Sequence, residues 1–139
     1  MITEDYVSFE TAKLLKEKGF NELCCQKYDG DGDLSSNHVG YINDEKPCDD
    51  FCALAPTLQM TMKWLRKAHN IYIYATPWYH EEENPLKKGE YNPIFDGWGY
   101  NILNLTTNAV IAESDEDNLY STPEEACEMA IKYYLEKLW

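Results

Sequence analysis

An α+β fold is predicted: an antiparallel three-stranded meander covered by helices, preceded by a helix and a loop-rich stretch. Two observations lead to it. Helical periodicity appears three times and each instance carries its own stop or start signals. Between the second and third instances lie short β-branched and aromatic runs joined by local connections, which favours antiparallel neighbours over crossover units. At 139 residues, 44% hydrophobic and 14% aromatic, the chain has the size and apolar content of a single domain spanning 1–139.

The first helix opens at Ser8, whose hydroxyl suits an N-cap, with Val7 placed to staple onto Ala12. Phe9, Ala12 and Leu15 recur on one face, lysines crowd the last turns, and Gly19 is the stop. Leu23–Tyr28 reads as a short strand. Residues 29–50 turn to Asp, Gly, Ser and Asn around Val39-Gly40-Tyr41-Ile42, which predicts loop with one edge strand. A second helix starts near Pro56 and ends at Asn70, with Leu58, Met62, Leu65 and Ala68 as its stripe. Ile71–Tyr74 follows as a strand, and residues 81–96, with three glutamates and two prolines, read as a long hairpin loop. Gly99–Leu105 and Ala109–Ala112 are the next strands, around a turn at Thr107-Asn108. Thr122-Pro123-Glu124-Glu125 then combines a capping Thr, a Pro at the first helical position and a Glu three residues on from the cap. Residues 56–139 thus predict an α-β-β-β-α unit, and 1–55 an N-terminal helix plus a loop-rich extension.

Twenty-five acidic residues against twelve Lys and Arg leave a net charge of −13. A field of that sign repels phosphate backbones, so nucleic acid is not an expected partner; it serves solubility or meets a basic protein. No apolar run reaches membrane-spanning length, and the acidic, polar N-terminus has no signal-peptide pattern, so a cytoplasmic protein without a membrane partner is expected. The five cysteines then read as reduced thiols.

Chemistry-bearing motifs fail on spacing. Asp29, Asp31 and Asp33 alternate as calcium-loop ligands do, but Leu34 and Gly40 stand where such a loop needs Gly and Glu. Cys48 and Cys52 lack a second pair at zinc spacing, with only Cys24, Cys25 and His38 nearby. His80 beside Glu81-Glu82-Glu83 has neither nucleophile nor oxyanion donors in the sequence. No catalytic residue, metal or cofactor is therefore assigned. The candidate binding residues are aromatic: Tyr72, Tyr74, Trp78, Tyr79, Trp98 and Tyr100 lie on or beside the first two meander strands. They serve either as a Tyr-rich core or as a contact surface for a protein partner or a second copy of the chain.

Ala55-Pro56-Thr57-Leu58-Gln59-Met60, continued through Ile71, and Ser121-Thr122-Pro123-Glu124-Glu125-Ala126, continued through Leu135, resemble small uncharacterised proteins of phages and mobile elements in gut Bacteroidetes. That likeness implies a phage or mobile-element source and no activity; together with the acidic loops and the aromatic sheet face, the expectation is an accessory protein acting through protein–protein contacts. The predicted topology is similar to double-stranded RNA-binding domains. Those open their last helix with phosphate-gripping lysines, where this chain has Pro123, Glu124 and Glu125. HicB-like antitoxins resemble the final ββα portion through Thr122, Glu124, Glu125 and Ala126, although their Gly-Tyr and Pro-Gly-Cys strand signatures are missing. An antitoxin-like inhibitor and a small metal-dependent hydrolase are the alternatives to a general binding role.

Overall fold

The computed structural model describes residues 2–36 and 53–139. In order they form α1 (Phe9–Glu17), β1 (Gln26–Tyr28), β2 (Leu34–Ser36), β3 (Ala53–Leu54), α2 (Leu58–His69), β4 (Ile71–Glu83), β5 (Tyr91–Asn104), β6 (Ala109–Glu113) and α3 (Pro123–Tyr133). A π-helical turn, Tyr134–Leu138, continues α3. The strands make two antiparallel three-stranded sheets, ordered β2-β1-β3 and β4-β5-β6. The α+β class and the α2-β4-β5-β6-α3 order follow the sequence reading. The proposed edge strand at 39–42, together with His38, Cys48 and Cys52, lies outside the described residues.

Local chemistry explains where the helices begin and end. Ser8 Oγ accepts from Thr11 N to cap α1, and Val7 and Ala12 are both buried beside it. In α2 the cap is Thr57, whose hydroxyl accepts from Met60 N, so Pro56 stands one residue before the cap and not at the first helical position. Proline is accepted there because its missing N–H costs the helix nothing, while its carbonyl takes Val7 N at 3.1 Å. The buried face of α2 is Leu58, Thr61 and Leu65, with Ala68 exposed. Thr61 tolerates burial because its hydroxyl donates to Thr57 O at 2.9 Å. Asn70 ends the helix in the left-handed region, at φ 57°. In α3, Thr122 Oγ1 accepts from Glu125 N, as the sequence predicts, but the Glu125 carboxylate returns to Ser121 N and Oγ, one residue ahead of the cap.

The large sheet departs most from expectation. Residues 81–96 are not a long loop: β4 runs to Glu83, β5 starts at Tyr91, and only 84–90 connect them. Ile71 pairs with Asn104 and Glu83 with Tyr91, with one irregularity between Trp78 and Tyr79 that leaves Asp96 as the extra residue on β5. Prolines fit because they sit where a strand has a free side. Trp98 directs its N–H and C=O to Tyr120, at 2.8 Å each, so Pro77 opposite it owes the ladder no N–H. Pro93 lies beyond the reach of β6, which pairs only with Asn101–Asn104.

Helices α2 and α3 pack on one face of this sheet, while α1 packs on α3, on the π-helical turn and on β3. One buried cluster joins Val7, Leu15, Leu54 and Leu65 to Ile73, Ile102, Ile131 and Leu135, so the N-terminal segments share their core with the α-β-β-β-α unit. No helix among the described residues is long and apolar enough to cross a membrane.

Candidate binding surface

Strand alternation divides the six sequence-selected aromatics between the two faces of the sheet. Tyr72, Tyr74 and Trp78 share the face turned away from the helices; Trp98, Tyr100 and Tyr79 point to the helix side. Tyr100 is only 9% exposed and lies in the core, its ring stacked on Tyr120 at 6.3 Å. Trp98 packs partly buried against the same cluster. Tyr79 is on the helix side but beyond the helices, exposed, with its ring against Phe95 at 5.5 Å.

The outer face is a graded surface. Tyr72 and Tyr74 have ring centroids 5.5 Å apart. Across the sheet, Leu103 stands opposite Tyr72 and Val110 opposite Leu103, giving an apolar row that spans all three strands. Tyr72 and Val110 are exposed, as is Ile111 at the β6 irregularity. Farther along, Asn101 Nδ2 donates to Thr76 Oγ1 at 2.9 Å, and Glu113 stands opposite Asn101. Trp78 closes the row over Gly99. A Cβ on Gly99 would lie 2.5 Å from Trp78 Nε1 and 2.6 Å from Ser114 Oγ, so the indole occupies the space a side chain would take. Ser114 in turn accepts from Tyr100 N at 2.8 Å, fixing β5 at that point. Leu103, Val110 and Ile111 were not singled out as binding residues; their signal is the apolar residue on the solvent side of the alternation.

Among the described residues, the acidic trio has a structural role and two of the cysteines are held as thiols. Asp29, Asp31 and Asp33 bring carboxylate oxygens within 4.8 Å of one another. Asp29 Oδ1 accepts from Asp31 N at 2.9 Å and Asp33 N at 3.0 Å, the geometry of a side chain closing the β1–β2 turn. Burial pushes the Cys24 thiol up to about 12, with Cys25 and Glu22 adding to it. Burial, then Glu124, also raises Cys127. Neither of these thiols forms a thiolate nucleophile near neutral pH. Beside Cys24 an open groove of about 1030 Å³ runs between residues 4–6, 22–25 and α2. Its lining includes Glu4, Glu22, Lys63, Lys67 and the exposed thiol Cys25.

No protein-family model matches this chain, and no curated protein or solved structure matches it either.

Proposed function

We propose that the protein is a binding module, an accessory protein of a phage or mobile element, whose outer sheet face docks a second protein. One observation carries the reading. The row Tyr72, Tyr74, Leu103 and Val110 lies on the sheet face opposite α2 and α3, and no described element packs over it. Contiguous apolar surface that folding does not use is characteristic of interaction sites, and tyrosine and tryptophan are enriched there. The net charge of −13 favours a basic partner over a second copy, because two such copies repel. An antitoxin-like role is the narrower form, with a basic toxin as the partner.

The full chain and its Tyr72→Ser/Leu103→Ser variant, both checked by circular dichroism, would be used to capture proteins from a host lysate. A partner held by the wild type and lost with the folded variant is the expected result. Equal retention by both would sink the sheet-face assignment. Elution at dimer mass in light scattering, also lost in the variant, would instead assign the face to self-association.

A further inference from the structure

Beyond Trp98 the β4–β5 ribbon outruns the helices. Residues 79–83 and 91–95 pair only with each other among the described residues, and every one of them is exposed. Cross-strand pairing puts Tyr79 with Phe95, Glu81 with Pro93 and Glu83 with Tyr91 on one face. Tyr79, Phe95 and Tyr91 are 57%, 48% and 58% exposed, more than stabilising a ribbon requires. Successive side chains on one face of a strand are about 7 Å apart, so Glu81 stands between the Tyr79–Phe95 pair and Tyr91. Glu83 accepts from Gly89 N at 3.0 Å and is engaged with the loop. Glu81 has no hydrogen-bond or ion-pair partner among the described residues. This face has no Lys or Arg; Lys87 and Lys88 belong to the connecting loop.

A free carboxylate flanked by exposed rings is matched to a guanidinium or ammonium, which lies over a ring while pairing with the carboxylate. We infer that this ribbon face binds an arginine- or lysine-bearing extended segment of a partner protein. The surface is separate from the outer sheet face, so the inference goes beyond the sheet-face reading and stands or falls without it.

The test uses the full 15N-labelled chain and, as probe, a short synthetic peptide alternating arginine and serine, with a glutamate–serine peptide as control. Amide shifts concentrated at 79–83 and 91–95 are expected with the arginine peptide alone. Tyr91→Ala leaves net charge and the Tyr79–Phe95 pair intact, and it should weaken binding several-fold; Glu81→Gln should weaken it about tenfold. Tyr72→Ser, on the other face, should bind as the wild type. Shifts spread over all acidic loops, with Tyr91→Ala binding at full strength, would overturn the inference and show countercharge attraction only. Loss of binding in Tyr72→Ser but not in Glu81→Gln would move the peptide to the sheet face.

Discussion

His80 stands with Nε2 2.9 Å from Glu82 Oε1 and Nδ1 2.5 Å from Asp96 Oδ1. Glu82 lies two residues along β4, while Asp96 is the extra residue that the ribbon irregularity supplies, so the bulge places the second carboxylate. Hydrogen bonds donated by the ring to Glu82 and then to Asp96 favour the imidazolium and raise the His80 pKa above its ordinary value. The folded value therefore exceeds the unfolded one. The associated stabilisation is fully present below about pH 6.5 and is lost as pH rises through the higher folded value. Exposure of the cluster screens it, so the effect on global stability is small. An NMR titration of the His80 ring should show a midpoint above that of an unstructured histidine, lowered in Asp96→Asn and again in Glu82→Gln. Midpoints identical in all three proteins would show that the carboxylates do not hold the ring.

At the scale of elements, α3 fastens α1 by a polar side chain as well as by shared core. Glu128 Oε1 accepts from Ser8 N at 2.9 Å and from Thr11 Oγ1 at 2.7 Å, at the N-terminal end of α1 where the helix dipole favours an anion. One turn on, Lys132 Nζ reaches Glu10 Oε2 at 2.6 Å, an exposed contact that solvent weakens. Removing Glu128 leaves the fully buried Thr11 without that acceptor. Glu128→Ala should cost about 1–3 kcal/mol in urea unfolding, Glu128→Gln less because an amide oxygen still accepts, and Lys132→Ala should hardly move the midpoint. Equal losses for Ala and Gln would point to charge, not to the acceptor. None of this was legible in the sequence, since no local pattern pairs residues 8 and 128. What was legible was local: the Ser8 and Thr122 caps, Asn70 as a stop, and the strand–strand–helix order. The ribbon escaped notice because strands solvated on both faces show no apolar alternation, and three glutamates with a proline resemble loop. The division of the aromatics was missed for a related reason. Clustering in sequence said nothing of parity, and parity sends Tyr100 into the core and Tyr72 to the open face.

For the whole molecule the governing quantity is the net charge of −13. Ion pairs among the described residues include Lys87–Glu90, Lys132–Glu10 and the two contacts of His80, all with exposed or partly exposed members. Asp and Glu outnumber Lys and Arg by 25 to 12, and the folded chain holds these charges closer together than the unfolded chain does. Salt relieves that repulsion. Raising ionic strength from about 0.01 M to about 0.15 M shortens the screening length from roughly 30 Å to roughly 8 Å. The melting temperature should rise over that range by a few degrees, the response to about 1 kcal/mol in a domain of this size. Affinity for the arginine peptide should fall over the same range, because screening weakens attraction between chains as it weakens repulsion within one. The two slopes therefore have opposite signs and a common cause. A melting temperature that stays flat or falls with added sodium chloride, measured by calorimetry at fixed pH, would mean that self-repulsion is not the term limiting this fold.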